Sequence, residues 1–214
     1  MKGEDIKAGD EIGRVCSGIM KLILPEMERS RGRYVISIAG ESGVGKTSLA
    51  ALIREDIQKS GKRAVCIQQD DYFKLPPGTN FKARRKDPAI VGVSEVYLDL
   101  MQEHVDLFKA GALTLDKPLV SFGEDRIGRE EIGLEGAGVL IVEGTYVTVL
   151  KNVDKRIFLE GTYADTLDGR IKRNREAEDG FSARILGIEH DIIIKHKALA
   201  DIVVSTDHTI EARG

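Results

Sequence analysis

Apolar residues in this chain occur in two alternating patterns. Short, nearly continuous apolar runs are typical of strands buried in a parallel sheet, and apolar residues recurring every three or four positions are typical of amphipathic helices. The runs predict five strands, at residues 33–39, 64–69, 138–144, 156–160 and 201–204. The helical spacing predicts helices at residues 9–24, 46–60, 91–110, 164–178 and 181–200. This alternation predicts a three-layer α/β fold around a five-stranded parallel sheet.

Between the second and third strands the pattern is weaker. Residues 74–88 carry prolines, a glycine and several basic residues, and we expect a turn-like segment there. Two extended pieces follow the helix at 91–110, at residues 117–120 and 129–132, with polar residues between them. They predict a small hairpin.

The first predicted helix has an apolar stripe that includes Val15, Ile19 and Ile23, and Pro25 should end or kink it. Such a stripe packs on the core or forms a dimer, and we favour core packing. The chain then divides into an N-terminal helix and linker at 1–32 and one domain at 33–214.

Composition narrows the class of protein. The 214 residues are 42% hydrophobic and 31% charged, with a net charge of -3, which is ordinary for a globular domain and argues against a broad basic face for nucleic acid. No apolar run approaches the roughly 18 residues of a membrane span, and the N-terminus lacks the pattern of a secretion signal. Two cysteines cannot build a disulfide framework or a four-ligand zinc site. We therefore expect a cytoplasmic protein without nucleic-acid or membrane partners.

The strongest motif joins the first strand to the helix at 46–60. It reads G-x-x-x-x-G-K-T, the phosphate-binding loop of nucleoside triphosphate enzymes, and a glycine-rich turn that matches by chance is the alternative. Glycine backbone would form a nest of N–H groups for phosphate oxygens, Lys46 would contact the β- and γ-phosphates, and Thr47 would bind Mg²⁺. The predicted nucleotide-binding residues are Gly40, Glu41, Ser42, Gly43, Val44, Gly45, Lys46, Thr47 and Ser48.

Carboxylates end two other strands. Glu143 would hold Mg²⁺ opposite Thr47, although it could instead cap its strand or pair with Lys46. Asp70 follows the second strand and is the candidate base that accepts a proton from a hydroxyl in phosphoryl transfer. Asp71 is an alternative base, and both aspartates could simply form a turn.

Basic residues form two further groups. Arg170 and Arg173 lie on one face of the predicted helix at 164–178, where they would contact the phosphates or remain solvated. Four others follow Asp70, and they either contact an anionic acceptor or coat a loop: Lys82, Arg84, Arg85 and Lys86. The histidines have no metal-binding spacing, and His104 is predicted to be a core residue.

Taken in order, these segments resemble the uridine kinase/phosphoribulokinase family over roughly residues 33–206. They are the phosphate loop, Gln69-Asp70-Asp71-Tyr72-Phe73, Val142-Glu143-Gly144, Asp165-Thr166 with the arginine helix, and Ala200-Asp201-Ile202-Val203-Val204. The resemblance implies a P-loop NTPase fold with a five-stranded parallel core, and phosphorylation of a primary alcohol by ATP and Mg²⁺. It also implies that Asp70 is the base and that Arg170 and Arg173 belong to a lid at about 164–180.

The acceptor side, an insert at about 74–135, departs from that family. Uridine kinases carry an acidic N-F-D-x-P-like segment, whereas residues 80–88 here are basic. The hairpin at 118–126 lacks the tyrosine and histidine that hold uracil, and the usual lid Glu-Arg-Gly is Glu178-Asp179-Gly180. A sugar, a sugar phosphate or another small alcohol is therefore as credible an acceptor as a nucleoside.

One alternative function belongs to a different class, a regulatory protein that hydrolyses nucleotide slowly. A regulatory GTPase should carry an N-K-x-D motif, and the nearest string, Lys151-Asn152-Val153-Asp154, does not match it.

Overall fold

The computed structural model of the chain describes residues 2–161 and 180–213. Its helices are α1 Lys2–Arg29, α2 Lys46–Lys59, α3 Pro77–Lys86, α4 Leu98–Lys109 and α5 Gly180–Ile193. Its strands are β1 Tyr34–Gly40, β2 Arg63–Gln68, β3 Thr114–Ser121, β4 Arg126–Gly133, β5 Ala137–Gly144, β6 Lys155–Leu159, β7 Ile202–Val204 and β8 Ile210–Ala212. The helix predicted at 164–178 lies outside the described residues.

The main sheet has the strand order β2-β5-β1-β6-β7-β8. The first five strands are parallel, as predicted, and β1 is buried along its whole length because it lies between β5 and β6. The sixth strand, β8, pairs antiparallel with β7 at the edge and was not predicted. Its three residues include exposed Glu211 and Ala212, so the sequence offers no apolar run there.

Helices cover both faces of the sheet. On one face Ile19 and Ile23 of α1 and Ile53 of α2 are buried together with Ile36 and Ile38 of β1. On the other face α4 and α5 bury Met101, Val105, Phe108 and Ile193 against the opposite side of β1 and β5. The three-layer prediction is confirmed, and the apolar stripe of α1 packs on the core within the chain.

The sequence predicted that Pro25 would either end or kink the first helix. Helix α1 does not end there but continues to Arg29. Proline removes one backbone donor from a helix interior. Contacts after the proline hold the last turn, since Glu26 accepts a hydrogen bond from the Tyr34 hydroxyl at 3.1 Å and pairs with Lys155 at 2.8 Å.

The turn-like prediction for residues 74–88 is wrong, because α3 forms within it. Pro77 occupies the start of α3, where its missing N–H costs nothing. The backbone N–H groups of Gly78 and Thr79 donate to Asp125 Oδ1 at 2.6 and 3.3 Å. The helix is thus capped from a distant part of the chain.

Three further helix boundaries differ from prediction, the first being that α1 begins at Lys2 and not at residue 9. The helix predicted from 91 begins at Leu98, after a short 3-10 turn at Val93–Glu95, and α5 gives way to a 3-10 turn at Ile194–Leu199. The predicted hairpin is confirmed, since β3 and β4 pair antiparallel with Leu115 opposite Ile132. None of the helices that the structure describes has an apolar stretch long enough to cross a membrane.

Candidate active site

The phosphate loop connects β1 to α2 and depends on glycine at three positions. Gly43 and Gly45 have φ of 95° and 97°, in the left-handed region that glycine adopts readily. Gly40 has φ of 149°, and a Cβ there would lie 2.5 Å from the carbonyl oxygen of Leu159. Other residues would therefore distort the loop at its start, where it must curl around phosphate oxygens.

The two predicted Mg²⁺ ligands lie side by side. Thr47 Oγ1 donates a hydrogen bond to Glu143 Oε1 at 2.8 Å, and Glu143 is buried near the end of β5. Among the described side chains no three His, Cys, Asp or Glu residues group as a metal cage. Mg²⁺ in phosphoryl-transfer sites usually takes one or two protein oxygens plus substrate phosphates and water. A hydroxyl and a carboxylate beside a phosphate loop fit that ligand set.

Lys46 begins α2, and its Nζ donates to the carbonyl oxygen of Glu41 at 2.7 Å. This bond keeps the ammonium group over the loop, where it could exchange a carbonyl for a phosphate oxygen.

Asp70 and Asp71 lie in the 3-10 turn Gln69–Tyr72, directly after β2. Gln68 of β2 is in register with Glu143 of β5, so the turn follows immediately beyond the metal-ligand position. Asp71 binds the hairpin, accepting from Lys117 Nζ at 2.6 Å and from the Val120 N–H at 3.1 Å. Asp70 is exposed. Asp71 is thus bound to the hairpin, and Asp70 is the more exposed carboxylate of the two.

The side chain of Gln69 holds the turn that carries Asp70 against the end of β5. The Gln69 Oε1 atom accepts from the Tyr146 N–H at 2.7 Å, and a Cβ at Gly144 would lie only 2.2 Å from Gln69 Cβ. Gly144 is needed because the buried glutamine crosses directly over the end of β5.

Among the four basic residues that follow Asp70, Arg84 is placed differently from either prediction. Arg84 is buried and makes two hydrogen bonds to Glu95, at 2.7 and 3.0 Å, and one to Glu189 at 2.9 Å. Burial alone would lower the pKa of Arg84, but the hydrogen bond to Glu95 and the charges of Glu189 and Glu95 raise it. Arg84 therefore neither coats a loop nor faces an open pocket.

Its neighbour Arg85 lies over the rings of Phe81 and Phe181, at 5.1 and 4.8 Å from their centroids. Lys82 and Lys86 are exposed.

Comparison with known protein families is consistent with the fold and the phosphate-loop site described above. The family model for the Phosphoribulokinase / Uridine kinase family matches residues 35–177. The chain belongs to this family.

Relatives and solved structures are consistent with that assignment. A bifunctional alpha-galactosidase/sucrose kinase of Mediterraneibacter gnavus is 27% identical over 94% of this chain, which spans only 23% of that relative's length. A uridine kinase of Clostridium novyi is 29% identical over 79% of this chain and 86% of its own. The phosphoribulokinase of Rhodobacter spheroides superposes with a TM-score of 0.65 at 13% identity, covering 82% of this chain and 71% of its own, and shares the fold.

Membership of this kinase family does not account for every residue at the site. His190 of α5 lies with its Nδ1 atom 2.5 Å from Glu41 Oε1 in the phosphate loop, and no short motif joins residues 149 positions apart. Glu95 and Glu189 were also missed, because each binds Arg84 from a different element. His104 was predicted correctly as a core residue, bonded to the Tyr72 hydroxyl at 2.7 Å, and burial lowers its pKa.

Arg170 and Arg173, the arginines predicted to belong to a lid, lie outside the described residues, as do Glu178 and Asp179. Their roles stay predictions.

Proposed function

We propose that this protein transfers the γ-phosphate of Mg·ATP to a hydroxyl of a neutral small molecule, with Asp70 as the base. The observation that carries the proposal is the meeting of three features at the carboxyl ends of adjacent parallel strands. These are the phosphate loop after β1, Glu143 beside Thr47 on β5, and exposed Asp70 after β2. Ligands bind at this edge in α/β sheets.

Each residue then has a defined task. The glycine backbone from Gly40 to Gly45 and the Lys46 ammonium group would bind the phosphates, and Thr47 and Glu143 would hold Mg²⁺. When bound, Mg²⁺ supplies positive charge that offsets the charge on the β- and γ-phosphate oxygens. Asp70 would accept the proton of the acceptor hydroxyl and orient its oxygen towards the γ-phosphorus. Arg170 and Arg173 are proposed to contact the phosphates from the lid.

The acceptor is proposed to be uncharged. Two cations that could bind an anionic acceptor are already paired within the protein, Arg84 with Glu95 and Glu189, and Lys117 with Asp71 and Glu130. A buried cation with two carboxylate partners has little capacity left for a third anion. The match to a sucrose kinase over nearly the whole chain supports a sugar or another neutral polyol rather than a sugar phosphate.

An ADP-release screen tests this proposal. The panel should pair neutral sugars with their phosphates, for example fructose with fructose 6-phosphate and ribose with ribose 5-phosphate, and should include sucrose and uridine. We expect turnover that depends on a neutral acceptor and is weaker with the phosphorylated partner of each pair. ADP release at the same rate without any acceptor would contradict the proposal and indicate a nucleotide hydrolase.

A further inference from the structure

Glu41 is an unexpected residue in a phosphate loop. The loop concentrates N–H groups and the positive end of a helix to attract anions, yet Glu41 places a carboxylate in it that is only 6% exposed. A buried carboxylate needs a partner, and one beside bound phosphates would repel them.

His190 is the partner that the fold provides. Its Nδ1 atom lies 2.5 Å from Glu41 Oε1, and its side chain is 32% exposed whereas that of Glu41 is 8% exposed. An imidazole N–H that donates to a carboxylate forms a short hydrogen bond, stronger than one between neutral groups, and fixes the direction of the carboxylate. The backbone of Glu41 is also engaged, through its carbonyl bond to Lys46.

Helix α5 is itself held in place on the acceptor side. Glu189, adjacent to His190, binds buried Arg84 at 2.9 Å, and Phe181 packs on Arg85. Gly92 of the insert lies so close to α5 that a Cβ there would be 2.8 Å from Ile192. His190 therefore approaches the phosphate loop from a helix anchored at its beginning and near its end.

We propose that His190 is a positioning residue for the nucleotide: by hydrogen bonding to Glu41 it holds that carboxylate away from the phosphate nest. This inference rests on the proposed binding of Mg·nucleotide. It assigns to His190 a role through Glu41, with no contact to substrate.

The test is a double-mutant cycle on the affinity for MgADP, measured by calorimetry without an acceptor. His190→Ala should weaken binding about tenfold when Glu41 is present, the equivalent of about 1.4 kcal/mol. In a Glu41→Gln background the same change should cost less than about twofold, because no carboxylate remains to be controlled. A merely structural histidine would give equal losses in both backgrounds, and that result would overturn the inference.

Two further variants complete the test. His190→Asn keeps an N–H donor near the Nδ1 position, and we expect a smaller loss than for His190→Ala; it also carries the test if His190→Ala does not fold, as judged by thermal denaturation without nucleotide. His208→Ala is the matched control, since His208 lies 3.9 Å from Glu11 on α1, and it should leave the affinity unchanged. An affinity for His190→Asn as low as that of His190→Ala would oppose a hydrogen-bonding role.

The result separates the two proposals. Failure of the unmodified protein to bind MgADP would overturn the proposed function together with this inference. Normal MgADP binding with equal losses in the two backgrounds would overturn the inference alone.

Discussion

The two halves of the site are built differently. The proposed donor half, which would bind the nucleotide, is formed by contiguous residues, Gly40 to Thr47, with one carboxylate, Glu143, from the neighbouring strand. The proposed acceptor half is held by ion pairs between distant segments, Arg84 with Glu95 and Glu189, and Asp71 with Lys117 of the hairpin. The geometry of the phosphate loop depends on consecutive residues, so those residues must keep their order in the sequence. A surface held by ion pairs between distant segments can change its residues when both partners of a pair are replaced. That difference explains why the phosphate loop is visible as a sequence motif and the ion pairs of the other half are not.

The sharpest test of this division is Asp70→Asn. The variant should lower kcat by about 10²- to 10⁴-fold, the usual contribution of a general base, and leave MgADP affinity within about twofold because the donor half is intact. Steady-state kinetics and calorimetry measure the two effects.

Asp71→Asn is the matched control for Asp70→Asn. It should loosen the hairpin and raise KM for the acceptor more than it lowers kcat, since Asp71 binds Lys117 and Val120. Equal losses of kcat in the two variants would contradict the separate roles.

Loss of a single charge should lower the unfolding free energy more in the acceptor half than in the donor half. Arg84→Leu leaves Glu95 and Glu189 buried without their cation, and breaking a buried pair in this way costs about 3–5 kcal/mol of unfolding free energy. Urea denaturation measures the loss, and Arg85→Leu, which removes an exposed arginine of the same helix, is the control with a much smaller expected effect. Similar losses would show that the Arg84 network is not what holds the insert.

In the donor half the sensitive feature is backbone geometry. Gly40→Ala should destabilise the protein by at least about 2 kcal/mol, because its φ of 149° and the Leu159 carbonyl leave no room for a Cβ. Gly13→Ala in α1, where a Cβ would meet nothing within 4 Å, should instead stabilise by about 0.5–1 kcal/mol. Denaturation midpoints of the two variants should therefore move in opposite directions.

The smallest expected effect is a pH dependence of the unfolding free energy. It comes from His104, which supports the turn that carries Asp70. Burial lowers the pKa of His104, whose ring bonds the Tyr72 hydroxyl beneath that turn. The unfolded chain therefore binds the proton more readily than the folded protein. The contribution of His104 to the unfolding free energy is complete above the ordinary histidine pKa and is lost as the pH drops below it.

Unfolding free energies at pH 7.5 and 5.5 test this effect. His104→Gln should show a smaller loss between the two pH values than the unmodified protein. Burial also lowers the pKa of His196, which adds a contribution common to both proteins. An equal loss of unfolding free energy in the two proteins would show that His104 does not cause the pH dependence.

Sequence reasoning succeeded where the determinants are local. The phosphate loop and the five parallel strands follow from contiguous residues, and Glu143 follows because its strand ends beside the loop. Helix α3 was missed because Pro76-Pro77-Gly78 has the composition of a turn. Its cap from Asp125, 47 residues beyond Gly78, is not visible in a local pattern. The sequence favoured Asp70 over Asp71 as the base, which stays a prediction, but no pattern shows that Asp71 binds Lys117 of the hairpin.

The same limit applies to the pairs that hold the site. Arg84 lies in a run that has the composition of a solvated basic segment, and only the fold brings Glu189 to it across 105 positions. His190 has no signal at all, because its partner Glu41 occupies a variable position of the phosphate motif.

The most direct test of the central claim is a phosphorus NMR spectrum of the products formed from Mg·ATP and a neutral sugar that supports ADP release. The account predicts a phosphomonoester resonance that grows in step with ADP and is absent with Asp70→Asn. Inorganic phosphate as the sole new species, or the same phosphomonoester formed at an undiminished rate by Asp70→Asn, would contradict it.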